Sequence, residues 1–130
     1  MSTQSDKSLS VADVMLAMNA CPLADERTIL KEVLEAMDKH RLGVVCIVDQ
    51  DMHLTGILTE GDVRRKLLRV QKPLAALLAD DVITHAVNSP ISITADVQLM
   101  DALDLMDEKK IWDLPVVDAD MQVVGLLHLD

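Results

Sequence analysis

The chain repeats itself, and the repeat limits what the chain can fold into. When the 130-residue sequence is shifted by 69 positions, similar residues coincide without a gap over about 17–59. The matched pairs include Leu30 with Leu99 and Gly56 with Gly125. Chance rarely keeps one register for so long, so we predict two copies of one supersecondary unit.

Within the first copy, the spacing of apolar residues changes in a fixed order. Helical spacing predicts a helix that follows an N-cap at Asp25 and breaks at Gly43. The apolar runs 44–48 and 54–58 are separated by a short polar turn, which predicts a β-hairpin. A second helix is predicted over 62–70.

The second copy repeats this order. It predicts a leading strand at 91–93, a helix at 96–109, and strands at 114–117 and 123–127. The fold class is therefore α/β (α+β), built from two β-α-β-β-α repeats. A unit of about 60 residues buries too little apolar surface to be stable alone. We expect the two repeats to pack sheet-to-sheet about a pseudo-two-fold axis, with clefts between them.

These predictions divide the chain into three parts. Residues 1–9 are expected to be a flexible lead-in, 10–78 the first repeat with a connecting helix, and 79–130 the second repeat. The second repeat lacks its final helix, because the sequence stops at Asp130. We therefore expect the second repeat to be truncated.

Composition excludes several classes of function. The net charge is −10, which disfavours broad attraction to nucleic acid or to anionic membranes. One Trp and no Phe or Tyr leave almost no platform for stacking bases. No apolar run approaches the roughly 20 residues that span a membrane. The two cysteines, Cys21 and Cys46, are expected to be reduced and inert, which predicts a cytoplasmic protein.

The segment after the first hairpin carries the most chemistry. Thr59 and Asp62 form a Thr-x-x-Asp pattern ahead of a helix, which is a variant of the capping box. The same position offers an anion the positive end of a helix, with Gly61 allowing close approach. Arg64 and Arg65 add positive charge. This set can hold a nucleotide, but it lacks the nucleophile, base or metal cluster that catalysis would need.

The tandem repeat and the Gly-x-x-Thr-x-x-Asp motif resemble the CBS domain pair, over nearly the whole chain. The resemblance implies a nucleotide ligand in the clefts between the repeats, with phosphate and ribose bound at Thr59 and Asp62. It also implies a base pocket just before each hairpin, formed by Leu42, Gly43, Val44 and Val45 in the first repeat and by Trp112, Asp113, Leu114 and Pro115 in the second.

The segment from Leu58 to Leu67 and the final Gly-Leu-Leu-His-Leu are also similar to the C-terminal CBS pair of D-arabinose 5-phosphate isomerases. That family places His128 where Thr is usual, and an N-terminal SIS isomerase domain before the pair. The resemblance implies a regulatory role in Kdo and lipopolysaccharide synthesis, homodimerisation, and no required cofactor. Feedback within that pathway suggests CMP-Kdo as the ligand, and an adenine nucleotide such as AMP or ATP is what the wider family implies. The Kdo carboxylate would suit Arg64 or Arg65.

Two alternatives stay open at the level of sequence. The chain could be an assembly module that dimerises without binding any ligand. It could also be a small enzyme acting through Asp62 and His128, against which the missing catalytic constellation argues. Trp112 could stack on a base or pack at an interface. The scattered histidines do not predict a metal site.

Overall fold

The computed structural model describes residues 9–129 and divides into two compact units. The first unit is Asn19–Pro90, and the second combines residues 9–18 with residues 91–129. In chain order, the helices and strands are α1 (Val11–Val14), β1 (Leu16–Ala17), β2 (Leu23–Asp25), α2 (Leu30–His40), β3 (Val44–Val48), β4 (Leu54–Thr59), α3 (Glu60–Arg69), α4 (Leu74–Leu78), β5 (Val87–Asn88), β6 (Ile93–Thr94), α5 (Leu99–Lys109), β7 (Asp113–Val117) and β8 (Val123–His128).

Each unit contains one four-stranded sheet. The unit at Asn19–Pro90 has the strand order β2-β3-β4-β5, and the other unit has the order β1-β8-β7-β6. In both sheets the leading strand runs parallel to the first hairpin strand, and the hairpin itself is antiparallel. The mixed α/β class and the predicted hairpins are confirmed.

The internal repeat is confirmed in detail. Helices α2 and α5 and the hairpin strands after them begin and end at positions that differ by the same 69 residues. The C-cap residue that follows each helix has the left-handed conformation: Arg41 has a φ of 56° and Lys110 a φ of 58°. Each hairpin also has a register shift at the same place in its first strand.

Several predicted helix boundaries are wrong: α5 begins at Leu99 rather than at 96, α3 begins at Glu60 rather than at 62, and both predicted ends of α2 differ. Asp25 does not cap α2: it ends β2, and its carboxylate accepts a hydrogen bond from the backbone N–H of Arg27. The helix begins at Leu30, whose N–H donates to the backbone oxygen of Asp80, so a distant segment satisfies the helix terminus. The helix ends at His40, and its C-cap is Arg41, two residues before the predicted break at Gly43.

The compact units divide the chain differently from the linear repeats expected at 10–78 and 79–130. The short strand β1 pairs with β8 in the second sheet, and β5 pairs with β4 in the first. Each sheet is therefore completed by a segment that lies outside its own linear repeat. The fit at β1 is close, because a Cβ on Gly125 would lie 2.6 Å from the backbone oxygen of Leu16.

Aliphatic side chains and methionine fill both cores. The first core contains Leu30, Met37, Ile47 and Leu58, and the second contains Met106 and Leu114 among others. Cys21 and Cys46 are both buried and form no disulfide. Burial raises the pKa of the Cys21 thiol to about 11, so this thiol stays protonated and unreactive at neutral pH.

A polar cluster joins the two sides of α4, with Lys72 before the helix and Asp80 and His85 after it. Lys72 Nζ lies 2.9 and 2.7 Å from the two carboxylate oxygens of Asp80, and His85 Nε2 lies 2.8 Å from one of them. Hydrogen bonds from Lys72 first, and from His85, hold the pKa of Asp80 below its usual value. The cluster therefore favours the charged carboxylate.

Candidate functional site

Thr59 and Asp62 form a complete capping box at the start of α3. The backbone N–H of Thr59 donates to Asp62 Oδ2 at 3.0 Å, and Thr59 Oγ1 lies 3.0 Å from the same oxygen. In return, Thr59 Oγ1 accepts from the backbone N–H of Asp62 at 3.3 Å. Strand β4 brings Thr59 to this position, and the side chain of Asp62 is only 19% exposed. The first turn of the helix is thus rigidly defined.

Arg65, rather than Arg64, contacts this box. Its Nη2 atom lies 2.8 Å from Asp62 Oδ1, the carboxylate oxygen that Thr59 does not use. The guanidinium folds back over the first turn of the helix, where a Cβ on Gly61 would lie 3.2 Å from Arg65 Nη1. Arg64 is exposed on α3. The structure therefore brings together Thr59, Asp62 and Arg65.

The predicted base-pocket residues of the first repeat lie beside Glu60. The backbone N–H of Glu60 donates to the oxygen of Gly43, and a Cβ on Gly43 would lie 2.7 Å from the Glu60 carboxylate. Leu42 is half-buried, whereas the side chains of Val44 and Val45 are fully buried in β3. Sequence reasoning missed Glu60, although its place directly after Thr59 could have indicated it.

The second repeat replaces the Val44–Thr59 pair with two ionisable side chains that are hydrogen-bonded to each other. Asp113 and His128 face each other across the hairpin, and His128 Nδ1 lies 2.6 Å from Asp113 Oδ1. Burial raises the pKa of Asp113 above its usual value, and the hydrogen bond to His128 opposes this only in part. The two predicted residues are therefore in contact, as a half-buried hydrogen-bonded pair.

Trp112 borders an apolar depression of about 220 Å³ in the second unit, and its side chain is 64% exposed. Its backbone oxygen accepts a hydrogen bond from the N–H of Leu129. The neighbouring predicted residues Leu114 and Pro115 are buried in β7. The depression is lined by Leu103, Met106, Asp107, Lys110, Ile111, Trp112 and Leu129.

One group of acidic and histidine side chains, among residues 9–129, has metal-binding spacing. Ligand atoms of Asp49, Asp51 and His53 lie within 4.8 Å of one another. Asp49 accepts hydrogen bonds from the backbone N–H groups of Asp51 and His53, and the latter is the main cause of its lowered pKa. Asp118 makes the same turn in the second hairpin, which explains Asp49 as a turn residue.

The arrangement at α3 can hold an anion and hydroxyl groups. It offers a helix N-terminus, a threonine hydroxyl, a carboxylate and a guanidinium within the first two turns. None of these groups is arranged as a nucleophile with a general base. Within the described part of the chain, no helix has the length and apolar character needed to cross a bilayer.

Comparisons with known proteins agree with this geometry. The family model for the CBS domain matches residues 11–69 and 79–130. The chain is 30% identical over 121 residues to the arabinose 5-phosphate isomerase KdsD of Salmonella typhi, covering 93% of this chain and 35% of that protein. It is also 30% identical to an uncharacterised protein of Rickettsia prowazekii, over 92% of this chain and 35% of that protein. The chain thus spans about a third of the length of these relatives.

Solved structures share the fold. The structure of CBSX2 in complex with AMP is 25% identical and has a TM-score of 0.81, covering 92% of this chain and 90% of that chain. The CBS domain pair of protein MJ0100, solved with 5′-methylthioadenosine and S-adenosyl-L-methionine, is 22% identical with a TM-score of 0.79, covering 92% of this chain and 88% of that one. With two matches to the family model and two units of the corresponding fold, this chain belongs to the CBS domain family, as a tandem pair of that domain.

Proposed function

We propose that this chain is a regulatory module that senses a nucleotide or nucleotide-sugar and has no catalytic activity of its own. The observation that carries the proposal is the contact of Thr59, Asp62 and Arg65 at the start of α3. The chain belongs to a family in which CBSX2 has been solved in complex with AMP. An adenine nucleotide or CMP-Kdo is the ligand class that we propose.

Each of the three side chains has a distinct part in this proposal. The hydroxyl of Thr59 and the N-terminus of α3 bind a phosphate oxygen. The carboxylate of Asp62 accepts hydrogen bonds from the hydroxyl groups of a ribose. Arg65 exchanges its bond with Asp62 for a bond with the phosphate, or with the carboxylate of a Kdo group. Ligand binding thus rearranges a contact that the free protein already makes.

The first repeat is the dominant site in this proposal. Its Val44–Thr59 pair leaves the threonine hydroxyl at the helix terminus, where a phosphate can reach it. The corresponding pair in the second repeat, Asp113 and His128, adds a buried carboxylate that repels an anion. His128 and Trp112 are therefore assigned to a weaker, secondary site.

We further propose that the parent protein is an arabinose 5-phosphate isomerase. The similarity to KdsD supports this, and the chain would be its C-terminal third, following an SIS isomerase domain in the cytoplasm. CMP-Kdo would then act as a feedback effector from the pathway of lipopolysaccharide synthesis. Regulation requires that the ligand bind two states of the protein with different affinity.

Isothermal titration calorimetry of the chain with CMP-Kdo, CMP, AMP and ATP tests this proposal. Saturable binding of CMP-Kdo, with weaker binding of CMP, is the result we expect for a feedback sensor of an isomerase. Binding of AMP or ATP alone would keep the sensing function and remove the link to Kdo synthesis. Absence of saturable binding with all four ligands would contradict nucleotide sensing.

An assembly module without a ligand is the second candidate function. It is favoured by one observation: both carboxylate oxygens of Asp62 already have partners, from Thr59 and Arg65. In that case the Thr-x-x-Asp motif serves only as a helix cap. The melting temperature of the chain would then be the same with and without each of the four nucleotides.

A further inference from the structure

Glu60 places a carboxylate beside the proposed phosphate site. It directly follows Thr59 and is exposed at the first position of α3. Its side chain folds onto Gly43, where an added Cβ would lie 2.7 Å from Oε2 and 2.9 Å from Cγ. Gly43 precedes Val44, the residue that pairs with Thr59 across the hairpin. The carboxylate therefore lies at the same end of the hairpin as the threonine hydroxyl.

No side chain within residues 9–129 neutralises this carboxylate through a hydrogen bond or an ion pair. Arg65 pairs with Asp62 instead, at 2.8 Å. Arg64 lies one helical turn after Glu60, a spacing that often allows an ion pair, but the Glu60 side chain folds onto Gly43. Glu60 therefore adds a negative charge without a partner at the start of α3.

The second repeat shows that the backbone at this position does not require a carboxylate. Leu129 and Trp112 stand where the first repeat has Glu60 and Gly43. The N–H of Leu129 donates to the Trp112 oxygen at 2.9 Å, and the N–H of Glu60 donates to the Gly43 oxygen at the same distance. The same backbone contact thus carries an acidic side chain in one repeat and an apolar side chain in the other.

Several hydrogen-bond donors at the start of α3 are already used. The N–H of Thr59 donates to Asp62 Oδ2, and the N–H of Asp62 donates to Thr59 Oγ1. The N–H of Glu60 donates to the oxygen of Gly43. One phosphate group can still be bound by the helix terminus and Arg65. Each further phosphate would add negative charge beside the Glu60 carboxylate, which repels it.

We infer that Glu60 selects a ligand with a single phosphate group and rejects nucleoside di- and triphosphates. The inference rests on the proposed nucleotide site and narrows its ligand to a nucleoside monophosphate or a sugar joined to a nucleoside through one phosphate. An unpaired charge that disfavours the wrong ligand is a common source of specificity. Gly43 is the positioning residue, because a larger side chain there would displace the Glu60 carboxylate.

Calorimetric titration of the whole chain with AMP, ADP and ATP, and with CMP, CDP and CTP, tests the inference. The titrations are made in EDTA, so that no divalent cation neutralises the phosphates. We expect affinity to fall roughly tenfold from the monophosphate to the triphosphate, because Glu60 repels each added phosphate. The difference should shrink at high salt, because salt screens this repulsion.

The outcomes separate this inference from the proposed function. A triphosphate that binds as tightly as its monophosphate, or more tightly, would overturn the selection by Glu60 and leave nucleotide sensing intact. Absence of saturable binding in both series would overturn the inference as well, and the titration with CMP-Kdo would then decide nucleotide sensing separately.

Two variants distinguish the charge of Glu60 from its position. Glu60→Gln removes the charge and keeps the size of the side chain, so it should strengthen triphosphate binding roughly fivefold relative to monophosphate binding. Gly43→Ala keeps the charge and displaces the carboxylate, and it should change the ratio in the same direction. Alanine fits the backbone at this position, because Gly43 does not have a positive φ.

Glu32→Gln is the matched control. Glu32 is an exposed carboxylate in the first turn of α2, so the substitution changes the net charge by the same amount as Glu60→Gln. It should keep the wild-type ratio of affinities, and melting temperatures would establish that all three variants are folded. A folded Glu60→Gln protein that keeps the wild-type ratio, or a Glu32→Gln protein that changes it equally, would overturn the inference.

Discussion

Asp113 shows how one residue can change the chemistry of a repeated position. It stands where the first repeat has Val44, and its partner His128 stands where the first repeat has Thr59. A valine at this position can be buried without cost, whereas an ionised carboxylate cannot. The hydrogen bond to His128 therefore compensates for burial only in part, and the pKa of Asp113 stays raised.

This raised pKa predicts a pH-dependent stability. A carboxyl group whose pKa is higher in the folded state favours folding when it is protonated. Its contribution to the free energy of unfolding is complete when the pH lies below the ordinary pKa of 3.8. This contribution is lost as the pH rises through the raised pKa of the folded protein. We therefore expect Asp113→Asn to gain stability relative to the wild type as the pH rises through this range.

Urea denaturation of both proteins at a series of acidic to neutral pH values measures the difference. Asp104→Asn, at an exposed position on α5, is the control and should show no such trend. A difference in unfolding free energy between Asp113→Asn and the wild type that does not change with pH would be inconsistent with a raised pKa.

At the scale of elements, the short strands β1 and β5 determine how the two sheets are completed. Gly125 belongs to β8 and lies against β1, where an added Cβ would be 2.6 Å from the Leu16 oxygen and 2.8 Å from Met15 Sδ. The backbone of a neighbouring strand cannot move aside as easily as the end of a flexible side chain.

We expect Gly125→Ala to lower the free energy of unfolding by roughly 1–3 kcal/mol, because it forces β1 away from β8. Gly61→Ala is the matched control, since its Cβ would meet only the mobile end of Arg65, and alanine favours a helix. Urea denaturation compares the two variants. Equal stability of both variants would show that the close approach of β1 has no energetic consequence.

The elements with strong internal patterns were predictable from sequence. Helices α2 and α5 and both hairpins follow from apolar spacing, and their common register follows from the repeat. The start of α2 was not predictable, because its first N–H is satisfied by Asp80, far along the chain. Strands β1 and β5 have only two residues each, too few to show a period, and they pair with distant strands.

The candidate site was predictable only in part, because some of its contacts join residues that are far apart in the sequence. Thr59 and Asp62 are three residues apart, so their contact is local and the motif predicts it. The choice of Arg65 over Arg64 depends on which side of α3 is turned toward Asp62. The Asp113–His128 contact depends on the register of β7 with β8, since the two residues are fifteen positions apart in sequence.

For the molecule as a whole, α3 carries the chemistry of the proposed site. Its N-cap is Thr59, its first turn carries Asp62, and Arg65 reaches back from the next turn to contact Asp62. A ligand that draws Arg65 away from Asp62 would favour one arrangement of this contact over another. A regulatory role then requires that the two arrangements bind the ligand with different affinity.

Thr59 and Asp62 are proposed to bind a nucleotide in addition to capping a helix. Calorimetric titration of AMP and of CMP-Kdo into the wild type and into Asp62→Glu tests this most directly. Glutamate at this position preserves the capping box, so the melting temperature should stay close to that of the wild type. The longer side chain displaces the carboxylate from the ribose, so affinity should fall by roughly tenfold or more.

Thr59→Ser is the companion control, because it keeps both the hydroxyl group and the helix cap, and it should bind like the wild type. We expect saturable binding by the wild type that is lost in a fully folded Asp62→Glu protein. Equal affinity of the wild type and Asp62→Glu, or no binding of either ligand by the wild type, would contradict it.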